Sequence, residues 1–325
     1  MNSIVAIIIS GLVYPGLIFA LVAAIIFGWI RATSRALAQG AASAAPRLSF
    51  RAISRRWQQT STTPEGVPPI IIQVLPVLAV VCPVLVLMFL PLPANRGLGT
   101  ATYTGDLVAI GALLLGMPIV RIVLGWTIPS PYTRLAAMRS ARQIMGYVLP
   151  LALALAVAAA LGITTRIDAA AAREVVVNGK GESFANIARV IAGLAYAACL
   201  PVLARITPLR SGRDAIELAG SELTELSGRE LLLMSIAEWV QFVAAIGLGV
   251  ALFVLPFFRG DGPRAIAALV GSIVIAAALG IWEGAITPRI RPREDLTPPV
   301  AVWFNTPTFL GIVAVLVVVF AQRIG

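Results

Sequence analysis

Histidine is absent from the 325 residues, and lysine occurs once, at Lys180. Without imidazole there is no His-based acid–base catalysis, no His metal ligand and no His-ligated haem. Cysteine occurs twice, at Cys82 and Cys199. An iron–sulfur cluster takes four thiolates, so any redox centre belongs to a partner. Both cysteines lie inside apolar runs, where they read as small buried apolar side chains. Charge is scarce as well: 12% of residues carry it, against about a quarter in soluble domains. That scarcity excludes a soluble globular enzyme, a disordered chain and a secreted disulfide scaffold. No Walker, dinucleotide, metal-ligand or nucleophile motif is present, so catalysis by this chain alone is not expected.

What is present is apolar length. Apolar residues make up 59% of the chain and its mean hydropathy is +0.92. Eight runs are long enough to cross about 30 Å of hydrocarbon: 3–29, 69–92, 106–128, 145–164, 186–204, 231–257, 264–284 and 303–321. The fold class is therefore all-α, a polytopic membrane protein forming one integral membrane domain over 1–325. A β-barrel would show short alternating strands instead. No charge precedes Arg31. The basic n-region of a secretory signal is thus missing, and the first run reads as a retained transmembrane helix. No internal repeat is visible, which argues against an inverted-repeat transporter.

The net charge is +10, with Arg supplying 24 of the 25 basic residues. In a soluble chain this would suggest nucleic acid. Here the basic residues fall in the gaps between runs, so nucleic acid is not an expected partner and the lipid bilayer is. Sixteen lie in the odd-numbered gaps and six in the even-numbered ones. The positive-inside rule places the odd gaps in the cytoplasm and both termini outside. The expected location is the inner (cytoplasmic) membrane of a bacterium or archaeon. The first gap, 31–68, reads as a basic cytoplasmic loop in which 48–57 forms an amphipathic interfacial helix. The fifth, 205–230, is a dense loop of both signs, with Asp214, Glu217, Glu222, Glu225 and Glu230 among four arginines. Docking to a soluble partner or lining a polar cavity would explain such density.

Charges within spans are expensive, roughly 2.5–3.5 kcal/mol each at a helix centre. The candidates are Arg121, Arg189, Glu238 and Glu283. Glu238 stands inside the sixth run, either as a proton-relay group or in a structural pair with an arginine from a neighbouring helix. Glu283 and Arg121 lie nearer the ends of their runs and are expected to snorkel.

Four motifs carry a family resemblance. The stretch 125–143 holds Gly125-Trp126, Ser130, Tyr132, Leu135, Arg139-Ser140 and Gln143. It resembles, without a gap, the third cytoplasmic loop of one membrane subunit of bacterial NADH–quinone oxidoreductase, the counterpart of mitochondrial NADH dehydrogenase subunit 1. Ala237-Glu238-Trp239 is similar to that family's A-E-Y. Ile281-Trp282, Ala285 and Pro288-Arg289 with Arg291 are similar to its I-W-x-R-A-x-x-P-R-x-R. Glu217-Leu218 and Glu225 with Ser227-Gly228 are similar to its E-L and E-Y-S-G. The resemblance implies a membrane-arm subunit of a complex-I-like redox assembly. Such a subunit docks the soluble arm, helps form the quinone chamber and begins the proton path. Its partners would be other membrane subunits and soluble iron–sulfur subunits, with quinone bound only at the subunit interface. Arg51, Arg55, Arg139, Arg142, Glu217, Glu225, Arg289 and Arg291 would line the docking face or chamber. Glu238 and Glu283 would serve the proton path or a buried ion pair. The departures fall on the family's acidic run, where Leu203, Arg210, Arg213 and Ala215 replace carboxylates. The alternatives are the anchor subunit of an energy-converting nickel–iron hydrogenase or formate hydrogenlyase, which uses no quinone, and, from another class, a stand-alone transporter.

Overall fold

A computed structural model describes residues 17–40, 57–59, 66–90, 106–162, 165–166, 181–204, 226–258, 261–286 and 297–324. Among them the chain is all helical: α1 (Leu17–Ala38), α2 (Pro69–Phe89), α3 (Leu107–Thr127), α4 (Pro131–Gly162), α5 (Gly181–Leu203), α6 (Gly228–Phe253), α7 (Asp261–Ile286) and α8 (Thr297–Ile324). Each contains a segment long and apolar enough to cross a membrane, eight in all.

Two helices run further than the apolar runs suggest. The α1 helix continues past Arg31 and Arg35 to Ala38, and α4 begins at Pro131, taking in Arg134, Arg139 and Arg142. Charge alone places these arginines in gaps. Arg and Ala are nonetheless good helix formers, and proline suits a first helical position. What remains of the third gap is residues 128–130, closed by the Thr133 hydroxyl donating to the Ser130 carbonyl at 2.9 Å.

Helices α2 to α6 form a closed ring in which each packs on the next and α6 returns to α2. The α1 and α7 helices pair with one another and attach along α6, while α8 lies across α4 and α5. The α6 helix touches α1, α2, α3, α5 and α7 and is the hub. Small residues allow close approach where no hydrophobic force drives helices together. Gly116 receives the Cys82 side chain, Gly249 the Tyr196 ring, and Gly193 the Phe253 side chain. Cys82 and Cys199 are free and buried. Tyr196 completes its site by donating from its hydroxyl to the Ala245 carbonyl at 2.7 Å.

The ends at which α1, α3, α5 and α7 finish, and α2, α4, α6 and α8 begin, lie on one side of the bundle. This is the basic end. At the other end the Asp106 side chain caps α3 by accepting from the Val108 N–H at 2.9 Å, and the Asp106 backbone pairs with that of Arg166 in an isolated antiparallel β-bridge. A carboxylate there also complements the partial positive charge of a helix N-terminus.

Candidate functional site

At the basic end, α1 and α7 lie almost backbone to backbone. A Cβ at Gly284 would stand 2.6 Å from the Arg35 carbonyl oxygen and 2.7 Å from Ala38 Cβ; Gly280 faces Arg31 and Ser34 as tightly. Glu283, between these glycines in sequence, is 2% exposed. Arg31 Nε donates to its Oε2 at 2.9 Å, and Arg35 Nη1 to its Oε1 at 3.5 Å. Arg31 also donates to the Ala204 carbonyl at the end of α5, at 3.1 Å. Its guanidinium lies 5.1 Å from the centre of the Phe242 ring on α6, a cation–π contact. One arginine thereby joins α1, α5, α6 and α7.

The second pair joins α3 to α6. Pro118 interrupts α3. Lacking an N–H, it leaves the carbonyl four residues earlier, that of Leu114, without its helical donor. Gln241 Nε2 donates to this carbonyl at 2.7 Å. One turn beyond Pro118, Arg121 pairs with Glu238. Glu238 and Gln241 are three residues apart and so share a face of α6. They hold α3 on both sides of its proline break. Gln241 is fully buried, and its Oε1 has no hydrogen-bond partner. Sequence reasoning missed Gln241. The available signal was Pro118, since a proline within a membrane span calls for a donor from another helix.

The snorkelling expected of Arg121 and Glu283 is not found. Both are 2% exposed, because each meets an opposite charge inside the bundle rather than water at its rim. Glu238 has a side chain 13% exposed, within reach of Arg121. Arg189, also buried, sits in the first half of α5, away from the basic end. Glu230, in the first turn of α6, is buried with its Oε2 unpartnered. Beside it Arg229 lies over the Trp57 ring at 5.1 Å. Arg139 and Arg142 are exposed on α4. Arg51, Arg55, Glu217, Glu225, Arg289 and Arg291 lie outside the described residues, as do the loop 205–225 and all of 48–57 except Trp57. No group of three Cys, Asp or Glu side chains comes together among the described residues to hold a metal.

Residues 48–320 match the family model for NADH dehydrogenase. The chain belongs to the NADH dehydrogenase family. It is a membrane subunit of the complex I type, corresponding to subunit 1. Within the matched region lie both ends of the Arg121–Glu238 pair, Gln241 and Glu283. Among solved structures it is similar to a chain of the membrane-bound sulfane sulfur reductase, an archaeal respiratory membrane complex. The TM-score is 0.73 at 18% identity, covering 98% of this chain and 100% of that one. No curated protein sequence matches it. At that identity the structural likeness is one of fold, and the family rests on the 48–320 match.

Proposed function

We propose that this NADH dehydrogenase-family subunit seats a soluble iron–sulfur arm on its basic end, walls a quinone chamber there, and carries the first charged groups of a proton path. The observation that carries the reading is the pair of Arg–carboxylate sites, Arg121–Glu238 and Arg31/Arg35–Glu283, both toward the basic end. Ionisable groups inside a bundle mark ion pathways or paired structural sites. Each carboxylate is engaged by arginine, so passage of a proton through it requires the pair to open. Arg31, Arg35, Arg121 and Gln241 already donate to protein acceptors. A quinone head group at this end would thus take its donors from the docked arm, while this chain supplies apolar walls. Arg51, Arg55, Arg139, Glu217, Glu225, Arg289 and Arg291 are the proposed docking residues, on the cytoplasmic face of an inner membrane.

A second reading is an anchor in an assembly that uses no quinone, of the energy-converting hydrogenase kind. It is favoured by Leu203, Arg210, Arg213 and Ala215 standing where carboxylates are expected. The shared fold with the sulfane sulfur reductase chain is compatible with it.

The test is purification in mild detergent, mass spectrometry of the co-purifying subunits, and quinone extraction from the same fraction. Soluble iron–sulfur subunits with stoichiometric quinone support the first reading. The same subunits with a nickel–iron protein and no quinone support the second. A chain that purifies alone, with no soluble subunit, overturns both.

A further inference from the structure

We infer that the outward face of α4 at the basic end is a binding site for an anionic phospholipid head group, held by Arg134 and Arg142. Depth comes first. A Cβ at Gly125 would stand 2.9 Å from Ala137 Cβ and 2.9 Å from the Thr133 carbonyl oxygen. The first turns of α4 therefore lie level with the end of α3 and do not project beyond it. Further along, Gly111 meets the Leu155 side chain. Between these two contacts α3 advances 14 residues and α4 at least 18, or about 21 Å against about 27 Å. Part of that difference is the reach of the Leu155 side chain toward the α4 N-terminus, and the two helices run side by side over this stretch. The level of those first turns is marked by Trp126, half exposed in the last turn of α3. Tryptophan in such a place sits at the membrane–water interface.

Direction comes second. Arg134, Met138, Arg142, Met145 and Leu149 recur at intervals of four, four, three and four, so they form one stripe along α4. All five are exposed; Met145, at 81%, is the most open of the large apolar side chains. The α4 residues that pack inward, such as Ala136, Ser140 and Tyr147, lie on the other side. The stripe therefore continues directly from the lipid-facing surface into the two arginines.

Charge comes third. Neither α3 nor α4 contains an Asp or Glu within its bounds. Neither Arg134 nor Arg142 has an ion-pair partner among the described residues. Arginine presents a planar fork of donors that matches phosphate, and its stem can lie along apolar surface while the head reaches the interface. A phosphodiester at head-group depth is the anion that this position meets. Arg142, grouped with the docking residues on sequence grounds, is thereby assigned to lipid. The assignment does not depend on which soluble assembly the chain joins.

The full chain, purified from membranes with its co-purifying subunits, is equilibrated with phosphatidylglycerol or phosphatidylcholine, and bound lipid is counted by native mass spectrometry. Wild type is expected to retain phosphatidylglycerol selectively. Replacing both residues, Arg134→Gln with Arg142→Gln, should weaken that retention about fivefold per arginine, roughly 25-fold together. Arg134→Lys with Arg142→Lys should keep most of it, and phosphatidylcholine should not respond to either. Undiminished phosphatidylglycerol in the Gln variant overturns the assignment. So does loss of soluble subunits with lipid unchanged, which would give the patch to a protein partner. If the double variant melts early, Arg142→Gln alone is read by the same comparison.

Discussion

The α6 and α7 helices have the same length, 26 residues, and the most apolar 18-residue stretch of each has the same mean hydropathy, 2.3. Yet 83% of that stretch of α6 is buried within the bundle, against 17% of that of α7. In water such equal hydropathy would imply similar burial. In a bilayer it implies nothing, because lipid tails are as apolar as a neighbouring helix. What separates the two is their polar content. The α6 helix carries Glu230, Glu238 and Gln241 on one stripe, each meeting protein rather than lipid. The α7 helix has Glu283 alone near its end, and it is inserted there by two glycines against α1. Polar placement, not hydropathy, tells which helix is central.

The largest break in this comparison should come from Glu238→Gln. It leaves the Arg121 guanidinium buried without its charge partner, and loss of about 3–5 kcal/mol is expected, read by unfolding in mixed micelles. Replacing both partners, Arg121→Leu with Glu238→Leu, should recover most of that loss, since an apolar pair needs no counter-charge. Next is Gly284→Leu. Its side chain would run into the Arg35 carbonyl and Ala38, separating α7 from α1 at a cost of about 1–3 kcal/mol. A cysteine cross-link between α1 and α7 should lose efficiency in parallel. Gln241→Leu comes third, at about 1 kcal/mol, in the range of interhelical hydrogen bonds in membranes. Faster amide exchange in α3 around Pro118 would locate the effect. Smallest is Val274→Ala on the open face of α7, within about 0.5 kcal/mol. A large loss there would mean that another membrane subunit covers the face in the assembly.

The spans were legible because a bilayer demands about 20 apolar residues per crossing, and no competing pattern produces eight such runs. Membership in the family was legible in the motifs at 125–143 and 281–291. Helix limits were less so: the charges of Arg31, Arg35, Arg134, Arg139 and Arg142 suggest loops, whereas α1 and α4 carry them inside helices. The pairings were not legible at all. An arginine that snorkels and one that crosses to a neighbouring carboxylate have the same local sequence, and the difference lies in which helix stands beside it. Glu238 stands out by its depth in an apolar run, but Arg121 as its partner depends on how α3 and α6 pack. Gln241 could have been found by asking which side chain serves the carbonyl that Pro118 leaves open.

The contact between Arg31 and Glu283 spans 252 positions of the chain. At about 5–20 residues per second, roughly 13 to 50 seconds of synthesis separate the emergence of the arginine from that of its counter-charge. The α1 helix therefore enters the membrane with two cations that nothing in the nascent chain yet neutralises, and α7 brings their partner only after five more crossings are made. The Phe242 ring and the Ala204 carbonyl arrive in the interval and give Arg31 a provisional seat. Glu283 then joins α7 to α1, so the bond can form only after α7 itself has been made.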